Sequence, residues 1–176
     1  EKSIRNFPAM IVPILREAKV IINPKLLEEL RSNEIKVGGL RWTLEEAKGM
    51  LKIAKQTLSL KENFKEEADK NIRERLGISN ETLTYSLILR LRAIYAAETI
   101  LKKKIFSNKE VKKFALSYGI EDKVYDKLYD VYGRIRDNKE AKGVKLDEIA
   151  VLLKIVEKYL KRVEDETKKE IRKRYR

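Results

Sequence analysis

The chain has 176 residues, 43% apolar and 39% charged, with a formal net charge of +13 and neither cysteine nor histidine. The missing cysteine excludes disulfides, thiol nucleophiles and thiolate metal sites, and the missing histidine removes the commonest general base and metal ligand. With only seven Gly and three Pro among so many Lys, Glu, Leu, Ile, Ala and Arg, the composition predicts helices joined by short turns.

Residues 1–42 are irregular in pattern. Pro8 and Pro13 bracket an apolar run, Asn23-Pro24 reads as a cap followed by a first-turn proline, and a short helix is expected from there to about Leu30. "VGG" at 37–39 reads as a loop. The next helix is expected to open at Thr43, which has capping-box spacing to Glu46 and Trp42 in the staple position. Its core stripe is Leu44, Ala47, Met50 or Leu51, Ala54 and Leu58. The polar run 61–76 carries apolar residues only at Phe64, Ala68, Ile72 and Leu76, and it predicts an exposed helix ended by Gly77.

"NETLTYSLILRLRAIYAAETILKKKI" is the most hydrophobic stretch and predicts a central helix contacted on several sides. Arg90 and Glu98 interrupt it, so each must be paired or must open onto a cleft or interface. Ser107 with Glu110 repeats the capping-box spacing and starts a helix stopped by Gly119. A further helix is expected over about Asp122–Asp137, with Val124, Leu128, Val131 and Ile135 in one stripe flanked by Tyr125, Tyr129 and Tyr132. The last begins near Leu146 with a clean stripe through Val163, and its basic tail "ETKKEIRKRYR" is expected to fray. The fold class is therefore all-α, an antiparallel bundle of four to six helices with a short amino-terminal satellite.

The positive charge fits either a solvated surface or an anionic partner such as nucleic acid, a nucleotide or an acidic protein. It is densest at 101–114, where Lys102, Lys103, Lys104, Lys109, Lys112 and Lys113 stand against Glu110 alone. These lysines could hold phosphates as point charges, and the tyrosines at 125, 129 and 132 could stack bases or form the edge of the core. Arg134 and Arg136 suit a helix carboxy terminus through the macrodipole alone. No phosphate-cradling glycine loop, dinucleotide fingerprint, zinc-protease motif or calcium loop is present, and the acidic clusters interleave with Lys and Arg as solvated helix faces do. No metal, cofactor or membrane span is expected, no signal peptide is visible, and a cytoplasmic location follows as the expectation. Abundant Lys and Glu with a single Gln resemble a hyperthermophile composition.

From Thr43 onward the order of these patterns resembles the HEPN family of higher eukaryote and prokaryote nucleotide-binding domains. "TLEEAKGMLKIAKQTL" looks like its first helix and "LRLRAIYAAETILKKK" like its long central helix. "VYDKLYDVYGRIRDNKEA" is similar to the helix carrying its arginine motif, and "VKLDEIAVLLKIVEKYLKRVE" to its closing helix. Residues 61–80 stand as a polar insertion within a bundle over 43–176. "FPAMIVPILREAKVIINPKLLEEL" is similar to the tail of a minimal nucleotidyltransferase domain, and a start at Glu-Lys-Ser fits a processed protein or the carboxy-terminal part of a longer one. The resemblance implies a bundle that often dimerises, bound to nucleotide, RNA or a partner protein, and working with a nucleotidyltransferase in cis or in trans. Active members cut RNA with Arg-x4–6-His. The arginine maps to Arg134 or Arg136, but the histidine position falls within Lys139–Lys142, "KEAK". Binding without catalysis is the expectation, with Arg134 or Arg136 and Arg90 holding a phosphate or an acidic partner, and Glu98 and Lys102–Lys104 as further candidates. A ribonuclease using Arg136 with Glu140 as base, and a purely structural interaction module, are the other two readings.

Overall fold

The structure is a computed structural model that describes residues 24–32, 37–63, 78–104 and 106–174. Of the stretch 7–30 compared with a nucleotidyltransferase tail only residues from Pro24 on are described, and of the polar run 61–76 only 61–63, which continue α2; the rest lies outside these residues. Six helices are described: α1 Pro24–Ser32, α2 Val37–Asn63, α3 Asn80–Leu101, α4 Asn108–Ser117, α5 Asp122–Arg136 and α6 Leu146–Arg174. No strand occurs among the described residues, so the fold is all-α as expected.

The pattern of α3 dictates its place. Leu87, Ile88, Leu91 and Ile94 are fully buried, and Ala96 and Ala97 are buried on the next turn, so apolar positions surround most of its circumference. Each large side chain removed from water in this way contributes roughly 1.5–3 kcal/mol. A helix apolar all round must be enclosed, and α2, α4, α5 and α6 all pack on α3. Its start is set by Ser79, whose Oγ accepts the Thr82 amide at 3.0 Å.

Paired residues give the directions of the helices. Lys48 meets Glu164 and Lys55 meets Glu157, so α2 and α6 are antiparallel. Tyr85 stacks on Tyr132 and Arg92 bonds Tyr129, so α3 and α5 are antiparallel as well. By contrast, Glu98 bonds Arg162 and Lys102 meets Glu166, which makes α3 and α6 parallel neighbours inside the bundle. The amino ends of these two helices are tied: the Asn80 side chain donates to the Val144 carbonyl at 2.9 Å.

Helix α2 starts nearly two turns earlier than the Thr43 cap predicts. Leu40 is buried on the same face as Leu44, Ala47 and Leu51, and enclosing it winds the helix back through Gly38 and Gly39. Two helical glycines cost about 1 kcal/mol each, and one buried leucine offsets much of that. Thr43 then lies inside the helix and donates to the Gly39 carbonyl, Glu46 turns to Arg90, and Trp42 is half exposed instead of stapling the entry. At the other end of the chain α6 continues through Arg174 where fraying was expected. Thr167 is buried and bonds the Val163 carbonyl, so the inward face continues beyond the apolar stripe. Helix α4 does start after Ser107, but through the Ser107 carbonyl rather than its side chain.

Gly119 has φ +96°, a left-handed closure of α4 that any other residue would strain. Gly49 and Gly133 are ordinary helical residues, and a β-carbon at either meets nothing within 4 Å. Gly49→Ala and Gly133→Ala are each expected to raise stability by about 0.5–1 kcal/mol, read as a higher midpoint in denaturant unfolding, while Gly119→Ala lowers it.

Candidate functional site

The carboxy terminus of α3 ends in a paired-carbonyl cap. The Lys104 amide bonds the Thr99 carbonyl at 2.7 Å and the Lys103 amide bonds that of Ile100 at 3.2 Å. This is a Schellman closure, which requires a left-handed residue, and Lys103 supplies it at φ 54° where glycine is usual. Asn138 closes α5 in the same way, with a side chain better suited to that conformation. The reversal at Lys103 separates the lysine triplet. Lys102 and Lys104 line a cleft of about 270 Å³, and Lys103 stays outside it in solvent.

Glu98 forms the floor of this cleft, with only 7% of its surface exposed. Its Oε1 accepts from Lys102 Nζ one turn on and from Arg162 Nη2 of α6 at 2.9 Å; its Oε2 accepts from the Tyr159 hydroxyl. Burial alone would raise the Glu98 carboxyl. The hydrogen bonds from Lys102 and Tyr159 and the charge of Arg162 outweigh it and hold Glu98 below the usual carboxylate range. Burial, and then the same contact with Glu98, push the Tyr159 phenol up, so the pair remains a carboxylate and a neutral hydroxyl.

Arg162 is fixed from three directions. Besides Glu98, its guanidinium lies 5.1 Å from the Phe114 ring centroid and 5.0 Å from that of Tyr159, and those two rings stack at 3.8 Å. Its Nε is buried and has no hydrogen-bond partner. Tyr95 and Phe114 add aromatic wall to the cleft, and Lys113 and Glu110 close it from α4. Glu110 pairs with Lys113 at 2.7 Å, and Lys113, then Lys109 and Lys104, hold its carboxyl low. Among the described residues no cluster of acidic side chains could hold a metal ion.

The other candidates from the sequence lie elsewhere. Arg90 and Glu98 do not share one site: Arg90 turns to α2 and pairs with Glu46 at 2.6 Å, because eight residues leave the two side chains about 80° apart around the helix. Arg134 Nε donates to the Glu140 carbonyl at 2.7 Å beside a shallow cleft of about 360 Å³ that also includes Lys127, Asp130 and Lys142. Arg136 bonds its neighbour Asp137 at 2.8 Å and lies over the Tyr132 ring. Tyr125 and Tyr132 are buried, so the tyrosine stripe is core edge, closed by Arg92 bonding Tyr129 and Asn108. Lys112 is drawn to Asp122 and Asp126 and ties α4 to α5.

Sequence reasoning missed Tyr159, Arg162 and Phe114. The available signal was Glu98 itself: a carboxylate in an apolar helix needs donors, and the last helix carries Tyr159 and Arg162 one turn apart at the margin of its stripe.

Removing the carboxylate leaves Arg162, Lys102 and the Tyr159 hydroxyl without their acceptor, so Glu98→Ala is expected to cost about 2–4 kcal/mol in denaturant unfolding. Because the folded pKa of Glu98 lies below its unfolded value of about 4.3, its contribution is complete above that pH. It is lost as pH falls through the folded pKa, so the stability difference between wild type and Glu98→Ala should shrink on acidification. Lys103→Gly removes the left-handed strain and is expected to add about 1 kcal/mol, with the same assay as the check. No protein-family model, no curated protein and no solved structure matches the chain.

Proposed function

We propose that this chain is a non-catalytic helical binding module of HEPN type that holds a nucleotide or RNA through the cleft at the end of α3. The observation that carries the proposal is the lining of that cleft: Lys102, Lys104, Lys113 and Arg162 against Glu98 and Glu110, with Tyr95 and Phe114 as aromatic wall. Cations held beside rings suit a ligand that joins phosphate to a planar base. The ligand would be presented to a nucleotidyltransferase, as the resemblance to HEPN domains implies.

The ribonuclease reading is the weaker one. Its two groups are engaged elsewhere: Arg136 pairs with Asp137, and Glu140 pairs with Lys142 at 2.5 Å. Both are exposed, on the end of α5 and the loop after it.

Titration with mononucleotides and short single-stranded RNA at two salt concentrations tests the proposal. Binding is expected to weaken with salt by a slope of about −0.7 per phosphate contact, and Lys104→Ala with Lys113→Ala should flatten that slope. The RNA should remain intact after prolonged incubation. Absence of binding to either probe at low salt would refute the proposal, and cleavage lost on Arg136→Ala would establish the nuclease instead.

A further inference from the structure

The cleft differs from a surface that follows a nucleic-acid backbone. A backbone track spreads its cations along a groove several nucleotides long. Here the cations converge from three elements onto a single space of about 270 Å³: Lys102 and Lys104 at the end of α3, Lys113 on α4 and Arg162 on α6. We infer that the group recognised is a terminal phosphate, a phosphomonoester carried by a free mononucleotide or by the end of an RNA strand. This inference rests on the nucleotide- or RNA-binding reading above and narrows it.

Charge supports the choice. The lining carries two more cationic groups than carboxylates. Just outside it, Glu166 meets Lys102 and Lys109 stands beside Glu110, and these two flanking charges offset one another. A phosphomonoester near pH 7 carries about −1.5 to −2 and neutralises that excess, whereas an internal phosphodiester carries a single charge.

Donor geometry points the same way. Arg162 lines the cleft with its plane set by Phe114, Tyr159 and Glu98, so the orientation of its guanidinium is fixed before a ligand arrives. A terminal phosphate offers three oxygens and can accept from the guanidinium and from ammonium groups on other sides at once. The Schellman turn ends α3 so that Lys104, two residues beyond Lys102, lines the same space as Arg162.

The composition makes the inference sharply testable. The chain has no histidine, so no side chain of ordinary pKa titrates between pH 5 and 8, while the second ionisation of a phosphomonoester lies near pH 6. A rise in affinity across that window belongs to the ligand.

The experiment is calorimetric titration of the full chain at pH 5 and pH 7 with two sets of probes. The first set is one five-nucleotide RNA bearing a 5′-phosphate, a 3′-phosphate or neither, and the second is AMP against adenosine. At least one phosphate-terminated probe is expected to bind about tenfold tighter than its unphosphorylated counterpart at pH 7, with a smaller ratio at pH 5. Preference confined to AMP identifies a free nucleotide as the ligand, and preference confined to a phosphorylated oligomer identifies an RNA end. Lys104→Ala and Lys113→Ala alter exposed side chains, so each should reduce the preference several-fold while leaving the thermal midpoint in place. Equal affinity for all three oligomers, with AMP no better than adenosine, overturns the inference yet leaves RNA binding standing. No binding by any probe removes both.

Discussion

A carboxylate that is nearly withdrawn from water governs the chemistry of this bundle. Glu98 sits in the helix that every long neighbour packs against, and an unpaired charge there would cost several kcal/mol. It is tolerated because three donors from two helices converge on its two oxygens, and that convergence sets the register of α3 against α6. The parallel contact between these helices is thereby specified by polar atoms as well as by apolar area. The cleft is a by-product of the same arrangement, since Lys102 and Arg162, which satisfy Glu98, also line it.

Much of the fold was legible in the chain. The apolar circumference of residues 83–101 announced a central helix, the i, i+4 stripes placed the faces of α5 and α6, and Gly119 marked the stop of α4. The misreadings share a cause: local features, a cap spacing and a run of charge, were weighed without the tertiary burial that competes with them. Thr43 and Glu46 have the spacing of a cap, but Leu40 had more to gain from the core than the cap had to lose. The basic tail looked like a fraying end because its charges were visible and its buried face, at Thr167, was a single polar residue.

The site was half legible. Glu98 and the lysines could be singled out because a charge in an apolar run and a dense basic run both violate the average. Their partners could not, because Tyr159 and Arg162 look ordinary in α6 and acquire meaning only once that helix lies parallel to α3. The arginines at the end of α5 illustrate the converse. Arg134 and Arg136 stood out by motif position, yet each is held by a group within six residues of itself. The gross count of 41 Lys and Arg is likewise a poor guide to free positive surface, since Lys48, Lys55, Lys112 and Lys127 all pair with carboxylates in contacts between helices.

The pairing of α2 with α6 has a consequence for how the molecule comes into being. Among the described residues these are the first long helix and the last, and the inner face of α2, from Leu40 to Leu58, rests in part against α6. During synthesis at about 5–20 residues per second, that face leaves the ribosome several seconds before its cover exists. Helices α3, α4 and α5 can associate with one another in the interval, but the layer between α2 and α6 cannot close until the final helix is released. The apolar surface of α2 is thus exposed longest on the nascent chain. The lysines and glutamates that alternate with it there serve a purpose before folding as well as after, by keeping the waiting helix in solution.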